Sequence, residues 1–172
     1  RLSRSMPTPI CFGFLGYSES GKPTLATAVT AELSRRGFKV AVLKDAHHQV
    51  DMDTPGKDTW RYRENGATQV ILRTPERWVL QTSTPTTPSI DDLLTHLDNP
   101  DIILIEGFKN EGNFPKIEVI RAAQPKTGPW LYLHHAEIVA IATDRTDLNH
   151  SLVELDINDP IAVADFIVAS PK

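Results

Sequence analysis

The segment Gly16–Leu25, GYSESGKPTL, has the spacing of a phosphate-binding loop but departs from that pattern at one position. Such loops read G-x-x-x-x-G-K followed by Ser or Thr. Their backbone N–H groups and lysine hold the phosphates, and the hydroxyl ligates magnesium. Gly16, Gly21 and Lys22 match, whereas Pro23 stands where the hydroxyl belongs. The chemistry indicated is the binding of a nucleoside triphosphate through backbone N–H groups of about residues 20–24, with hydrolysis in doubt.

Two residues of this loop are expected to weaken that chemistry. Pro23 lacks an N–H donor, and because a hydrogen bond to a charged group is worth roughly 1.5–3 kcal/mol, its loss weakens binding about ten- to a hundred-fold. Thr24 has a hydroxyl, but on a helix it is rotated about 100° from its neighbour, so we do not expect it to replace the missing ligand. Glu19 places a carboxylate about 6 Å from the phosphates, which costs roughly 1–3 kcal/mol unless its side chain points into solvent.

Glu106 is the second candidate for chemistry, because it lies near the end of the apolar run DIILIEG, Asp101–Gly107. Open α/β sheets bind their ligands at the carboxyl ends of their strands. A carboxylate at that edge is expected to bind the water shell of magnesium or to orient the attacking water. The alternative is a solvent-facing strand end. We therefore predict Lys22 and Glu106 as the catalytic residues.

The segment DAHHQVDMDTPGKDTWRYR, residues 45–63, is dense in charged residues. Zinc binding by its adjacent histidines is disfavoured, since neighbours on an extended segment point to opposite faces. The candidates for outer-shell magnesium contacts are Asp45, Asp51 and Asp53. The candidates for contact with phosphate or an acidic partner are Lys57, Arg61 and Arg63. The alternative is a polar loop that caps its neighbours.

Asp144 ends the apolar run AIATD. A carboxylate there would accept both N–H groups on the Watson–Crick edge of guanine, a pair of donors that adenine does not offer. The alternative is a turn aspartate, since Asp is common in turns.

The elements that must position these residues alternate between strands and helices. An apolar strand (Ile10–Gly16) enters the loop, and a helix from Lys22 leaves it and ends before Gly37. Two strands that we expect to be central follow at 38–44 and 101–107, with strands at 116–121 and 137–144 and helices at 90–97 and 159–169. Segments 67–73 and 77–82 predict an antiparallel hairpin. The prediction is a three-layer α/β fold of the P-loop type, with a mainly parallel sheet, an inserted β-hairpin at 67–82 and one domain over 6–172.

Composition excludes several classes of protein. With 172 residues, 40% hydrophobic content and a net charge of −4, the chain is globular and has no basic stripe, so neither nucleic acid nor a membrane surface is expected as a partner. The single cysteine, Cys11, fits a reducing compartment, and there is no apolar stretch of about 20 residues and no signal segment. We expect a cytoplasmic protein whose native chain starts at Met6, with 1–5 as a remnant.

Seven segments in this order resemble the MobB family of molybdopterin-guanine dinucleotide biosynthesis adapter proteins, from about Pro9 to Phe166. They are GYSESGK, LKDAHHQVDMDTPGKDTWRYRENGA, ERWVLQTSTP, DIILIEGFKNE, PKIEVIR, AIATD and LDIND. Within them, HHQVDMDTPGKD is specific to the family in a way that a phosphate loop alone is not.

The resemblance implies a small, usually dimeric P-loop protein that binds GTP with Mg²⁺ and hydrolyses GTP weakly. It implies as partner a separate nucleotidyltransferase that joins GMP to molybdopterin, with molybdopterin as a further possible ligand. Carried over by position, the phosphate-loop residues are Gly16, Ser18, Ser20, Gly21 and Lys22, and Glu106 belongs to the second magnesium motif. The family's signature segment falls on His47, His48, Asp51, Asp53, Gly56, Lys57 and Asp58. Asp144 falls near the base-recognition loop.

Three departures from the family cluster around the triphosphate. The family usually has Gly at position 19, Thr at position 23, and KHTHHD where this chain reads KDAHHQ. They leave the fold intact and predict weak or impaired hydrolysis. One rival hypothesis is an interaction protein that keeps the fold and works without nucleotide. Another is a small-molecule kinase, against which the sequence lacks an Arg-rich helical lid.

Overall fold

A six-stranded parallel sheet forms the centre of the computed structural model, which describes residues 8–46, 50, 52–125 and 128–170. The strands are β1 (Ile10–Leu15), β2 (Val40–Lys44), β3 (Gln69–Arg73), β4 (Trp78–Thr82), β5 (Ile102–Glu106), β6 (Lys116–Ile120), β7 (Ile138–Thr143) and β8 (Val153–Asp156). The helices are α1 (Lys22–Arg35), α2 (Asp58–Glu64), α3 (Ile90–Leu94) and α4 (Pro160–Ala169), with a 3₁₀ turn at Leu131–Leu133. The large sheet runs β2-β5-β1-β6-β7-β8, and β3 and β4 pair separately as an antiparallel hairpin. The predicted fold class is confirmed.

Helices cover both faces of the sheet. On one face, α1 and α4 bury Leu25, Leu33 and Ile167 against Phe12 and Phe14 of β1. On the other face, α3 packs against β5. Because β5 is covered on both sides, it is an apolar run with little alternation, as is typical of buried parallel strands. The three layers fix the carboxyl ends of β1, β2 and β5 at one edge of the sheet.

The boundaries of α1 and α4 lie where their capping residues predict them. Gly21 is the N-cap of α1 with φ +88°, Pro23 lies in its first turn, and Gly37 follows its end with φ +91°. The side chain of Asp159 accepts a hydrogen bond of 3.0 Å from the N–H of Ala162 at the start of α4. No helix among the described residues is long and apolar enough to cross a membrane.

One expectation about the sheet is wrong. We expected β2 to be a central strand, but it lies at the edge, with β5 between it and β1, and Val42 is 49% exposed. Apolar residues such as those of β2 occur in both central and edge strands, so the composition of β2 does not predict its position in the sheet. Two short polar elements, α2 and β8, were not predicted, because hydrogen bonding rather than a buried apolar stripe defines them.

Cys11 is a partly buried residue of the sheet. It lies in β1 beside the cluster that α3 and β5 form, and burial raises the pKa of its thiol to about 11. At neutral pH the thiol is therefore protonated and poorly nucleophilic.

Candidate functional site

A cleft of about 410 Å³ opens at the carboxyl ends of β1, β2 and β5. The whole loop from Gly16 to Pro23 lines one side of it, and Lys44, Asp45 and Glu106 line the other. The structure therefore brings together the loop and Glu106, which the sequence placed at one edge of the sheet. The cleft also includes Lys44, which the sequence analysis did not single out.

The loop backbone has the conformation of a glycine-rich phosphate loop even where glycine is missing. Glu19 has φ +63°, a left-handed conformation that costs a side chain with a Cβ roughly 1–2 kcal/mol. Its side chain is exposed, so the carboxylate has access to water. The strain lies in the backbone and is independent of where that carboxylate points.

Ser20 is the buried residue of the loop. It is 1% exposed, and its Oγ has no hydrogen-bond partner among the described residues. A buried hydroxyl without a partner is uncommon in native proteins. The Oγ lies 2.6 Å from the point that a Cβ on Gly16 would occupy, so the hydroxyl fills the inside of the turn.

The amine of Lys22 turns back onto its own loop. Its Nζ donates hydrogen bonds to the carbonyl oxygens of Gly16 and, at 3.2 Å, Tyr17. Burial lowers the pKa of this amine, the charge of Glu106 opposes that shift, and the charge of Lys44 adds to it. The amine is thus at the loop and within electrostatic reach of Glu106, as a phosphate-binding lysine must be.

Glu106 is paired with Lys44 across the neighbouring strand. The Lys44 Nζ lies 3.0 Å from Glu106 Oε1, and the Glu106 side chain is only 13% exposed. The two residues occupy the same register position where β2 and β5 end. The sequence does show a lysine at the end of a predicted strand. Predicting its pairing with Glu106 would have required knowing that the two strands are neighbours in the sheet.

The oxygen ligands present fit a magnesium ion held through water and phosphate better than one bound directly to the loop. Pro23 offers no hydroxyl, and Thr24 is exposed and does not line the cleft. Among the described residues, the carboxylates that line the cleft are Glu19 of the loop and, at the ends of β2 and β5, Asp45 and Glu106. Mg²⁺ commonly keeps several waters and takes only one or two carboxylates besides the phosphates.

Asp53, another predicted magnesium contact, does not line the cleft. Asp53 accepts a hydrogen bond of 2.9 Å from the hydroxyl of Thr59 and lines a small cavity under the hairpin, beside Val70 and Leu72. Asp51, His47 and His48 lie outside the described residues. Lys57 precedes α2, and Arg61 and Arg63 belong to it; α2 packs against β3 of the hairpin, and the three basic residues do not line the cleft.

Asp144 joins the ends of two strands. Its Oδ1 accepts a hydrogen bond of 2.5 Å from the N–H of Ala122, just beyond β6, while Asp144 itself follows β7. The same carboxylate is exposed. Its role in holding the turn after β6 was not predicted, and its contact with guanine stays a prediction.

Comparison with known proteins gives a consistent picture. The family model of MobB, molybdopterin guanine dinucleotide synthesis protein B, matches residues 11–144. A relative from Haemophilus influenzae is 40% identical over 158 residues, covering 90% of this chain and 85% of the relative. One from Escherichia coli K12 is 36% identical over 159 residues, covering 90% and 89%. Both are named molybdopterin-guanine dinucleotide biosynthesis adapter protein.

Solved structures share the fold. A crystal structure of MobB from Bacillus subtilis superposes with a TM-score of 0.71 at 23% identity and covers 96% of this chain and 99% of its own. A crystal structure of molybdopterin-guanine biosynthesis protein B gives 0.70 at 24% identity, with coverage of 92% and 98%. At this identity the structures support the fold alone.

Proposed function

Because the chain belongs to the MobB family, we propose that it is a GTP-binding adapter of molybdopterin guanine dinucleotide biosynthesis. It acts in the cytoplasm as a homodimer and assists a separate nucleotidyltransferase that joins GMP to molybdopterin. Its GTPase activity is weak at best. The two relatives that are named adapter proteins align with this chain over most of their length, which supports the adapter role.

One observation supports GTP binding above all: the phosphate loop and the carboxylate of Glu106 line the same cleft. Lys22 and Glu106 are electrostatically coupled, and the loop leads from a buried strand into the 14-residue helix α1. Backbone N–H groups at a helix N-terminus, together with a lysine, form a site for phosphate. In this proposal Glu106 would hold a bound Mg²⁺ through its water shell, the ion would supply neutralisation of the phosphate charge, and Lys22 would leave the loop carbonyls to reach the phosphates.

Weak hydrolysis follows from the same residues. The loop contributes no hydroxyl at position 23, and Lys44 occupies one oxygen of Glu106 at 3.0 Å. A carboxylate held by an ammonium group is a poorer partner for magnesium-bound water or for the attacking water. The chain is therefore expected to bind nucleotide better than it hydrolyses it.

Calorimetric titration with GTP tests the proposal. We expect saturable heat with GTP in Mg²⁺, a modest loss of affinity on chelation of Mg²⁺, and weaker binding of ATP. Lys22→Gln is the matched control, since it keeps the length of the side chain and removes the charge, and we expect it to abolish binding. Absence of heat from the unsubstituted protein at millimolar GTP would contradict nucleotide binding.

A second candidate function has one observation in its favour. The Lys22 amine already donates hydrogen bonds to the carbonyls of Gly16 and Tyr17, so its donors are engaged within the loop. An adapter that binds its partner without nucleotide would keep such a loop as structure. Partner binding that is unchanged by GTP, measured on the same samples, would favour this reading.

The hairpin β3–β4 supports the proposed homodimer. Ile71 and Trp78 lie on one face of it and are 66% and 65% exposed, while Leu72 and Val79 lie on the other face and are 51% and 48% exposed. A two-stranded hairpin is marginally stable in water, and clustered exposed apolar residues mark interaction sites. We propose that a second copy of the chain covers this surface.

Ile71→Glu is expected to dissociate the dimer. A charge buried at the centre of an interface costs about 2 kcal/mol or more, which corresponds to a roughly 30-fold weaker dimer. Sedimentation over a concentration series measures the change. Ile161→Glu on α4 is the control, because Ile161 is also exposed, at 55%, but lies away from the hairpin. If both variants weaken the dimer equally, or if neither weakens it, the hairpin is not the dimer contact.

A further inference from the structure

Arg121 lies against the phosphate loop without belonging to it. It follows directly after β6, whose neighbour in the sheet is β1, so the residue emerges at the edge where the loop begins. Its guanidinium covers the Cα of Gly21. A Cβ at that position would lie 2.7 Å from Arg121 Nη2 and 3.0 Å from Nε. A Cβ at position 21 would push the guanidinium away from this end of α1.

Arg121 adds positive charge at the N-terminus of α1. The N-terminus of a helix carries a partial positive charge, and an arginine there is unfavourable unless an anion binds between them. The first turn of α1 has no acidic residue and Gly21 provides no side-chain cap. Among the described residues the guanidinium makes neither an ion pair nor a hydrogen bond. Lys22 adds a further positive charge at the same helix end.

The backbone that carries Arg121 is fixed by two side chains. The N–H of Arg121 donates to Oε1 of Gln124 at 2.8 Å, and the N–H of Ala122 donates to Asp144. Gln124 is 7% exposed, and its Nε2 has no partner among the described residues. The turn is thus held in place before any ligand arrives, which limits the entropy lost on binding.

A second observation also indicates a ligand at this point. Ser20, the residue before Gly21, is only 1% exposed, and its Oγ has no hydrogen-bond partner among the described residues. Its hydroxyl lies inside the turn that ends at the α1 N-terminus. An unsatisfied hydroxyl, a helix N-terminus and an unpaired guanidinium therefore converge on the same loop.

We propose that Arg121 is a phosphate-binding residue of the nucleotide site and replaces part of the charge neutralisation that the loop lost with its magnesium-ligating hydroxyl. This assignment rests on the proposed GTP binding. The planar guanidinium presents two parallel N–H donors to phosphate oxygens, and such charge-assisted pairs are strong. It also explains why Pro23 is tolerated: the site holds phosphate through fixed cations and depends less on Mg²⁺.

The experiment compares Arg121→Gln, Arg121→Lys and the unsubstituted protein by calorimetry, with GTP and with inorganic triphosphate, each in Mg²⁺ and in chelator. We expect Arg121→Gln to bind both ligands about ten- to a hundred-fold more weakly than the unsubstituted protein, and this loss of affinity should persist without Mg²⁺. Arg121→Lys should recover part of the affinity, since it restores the charge without the fork. Arg35→Gln, at the opposite end of α1 and 71% exposed, is the control and should change neither.

The outcomes separate this assignment from the proposed function. If the unsubstituted protein binds neither ligand, the proposed function fails and this assignment fails with it. If it binds GTP and Arg121→Gln binds equally well, only the assignment fails. The assignment would also be wrong if Arg121→Gln lost affinity for GTP but not for inorganic triphosphate, because Arg121 would then contact another part of the nucleotide. Equal melting temperatures without ligand would exclude a merely structural effect.

Discussion

Replacing Pro23 with threonine and Glu19 with glycine together is expected to raise affinity for GTP in Mg²⁺ by about ten- to a hundred-fold and to increase hydrolysis. Threonine restores an N–H donor, worth roughly 1.5–3 kcal/mol when it faces a charged group, and the hydroxyl that ligates magnesium. Glycine at position 19 removes roughly 1–2 kcal/mol of backbone strain, because Glu19 holds φ +63°. The double variant therefore has both a better donor set and a relaxed loop.

Pro23→Ala combined with Glu19→Gly is the control that separates the two contributions of threonine. Alanine restores the N–H group but not the hydroxyl, so both variants should gain equally in chelator, and only threonine should gain further in Mg²⁺. Calorimetry measures the affinities, and release of inorganic phosphate measures hydrolysis. If the double variant shows no gain in either, these two residues do not limit the site, and the nucleotide-independent adapter becomes the better account.

Local sequence signals predicted the part of the site that lies on consecutive residues. The run Ile10–Leu15, the glycines and Lys22 define β1, the loop and the start of α1 within about 15 residues. Each of these signals is local, since it depends on an apolar run, a backbone preference of glycine or the tolerance of proline in the first helical turn. Glu106 was also placed at the correct edge, because a buried parallel strand ends where its polar residue begins.

The cationic partners of the site could not be predicted, because they depend on the order of strands in the sheet. Lys44 meets Glu106 only because β2 pairs with β5, and Arg121 meets Gly21 only because β6 lies next to β1. Residues 44 and 106, like 21 and 121, are far apart in the chain, and their types occur equally well at exposed strand ends. The edge position of β2 was missed for the same reason.

Gly16→Ala is expected to remove GTP binding, with at least a hundred-fold loss, and to destabilise the fold by about 2–4 kcal/mol. A Cβ on Gly16 would lie 2.6 Å from the carbonyl oxygen of Val119 and 2.6 Å from Ser20 Oγ. Val119 belongs to the buried strand β6, so its carbonyl cannot move aside without disturbing the sheet. The loop must shift instead, which displaces the backbone N–H groups and the carbonyl that Lys22 contacts.

Gly37→Ala provides the comparison, because Gly37 also has a positive φ, +91°, but a Cβ there would meet nothing within 4 Å. We expect it to cost only the left-handed strain, about 1–2 kcal/mol, and to leave GTP affinity unchanged. Urea unfolding and calorimetry on both variants separate backbone strain, which they share, from the collision, which only Gly16→Ala suffers. A Gly16→Ala protein that binds GTP like the unsubstituted chain would mean that the loop backbone does not hold the phosphates. The nucleotide site would then have to be sought elsewhere in the molecule.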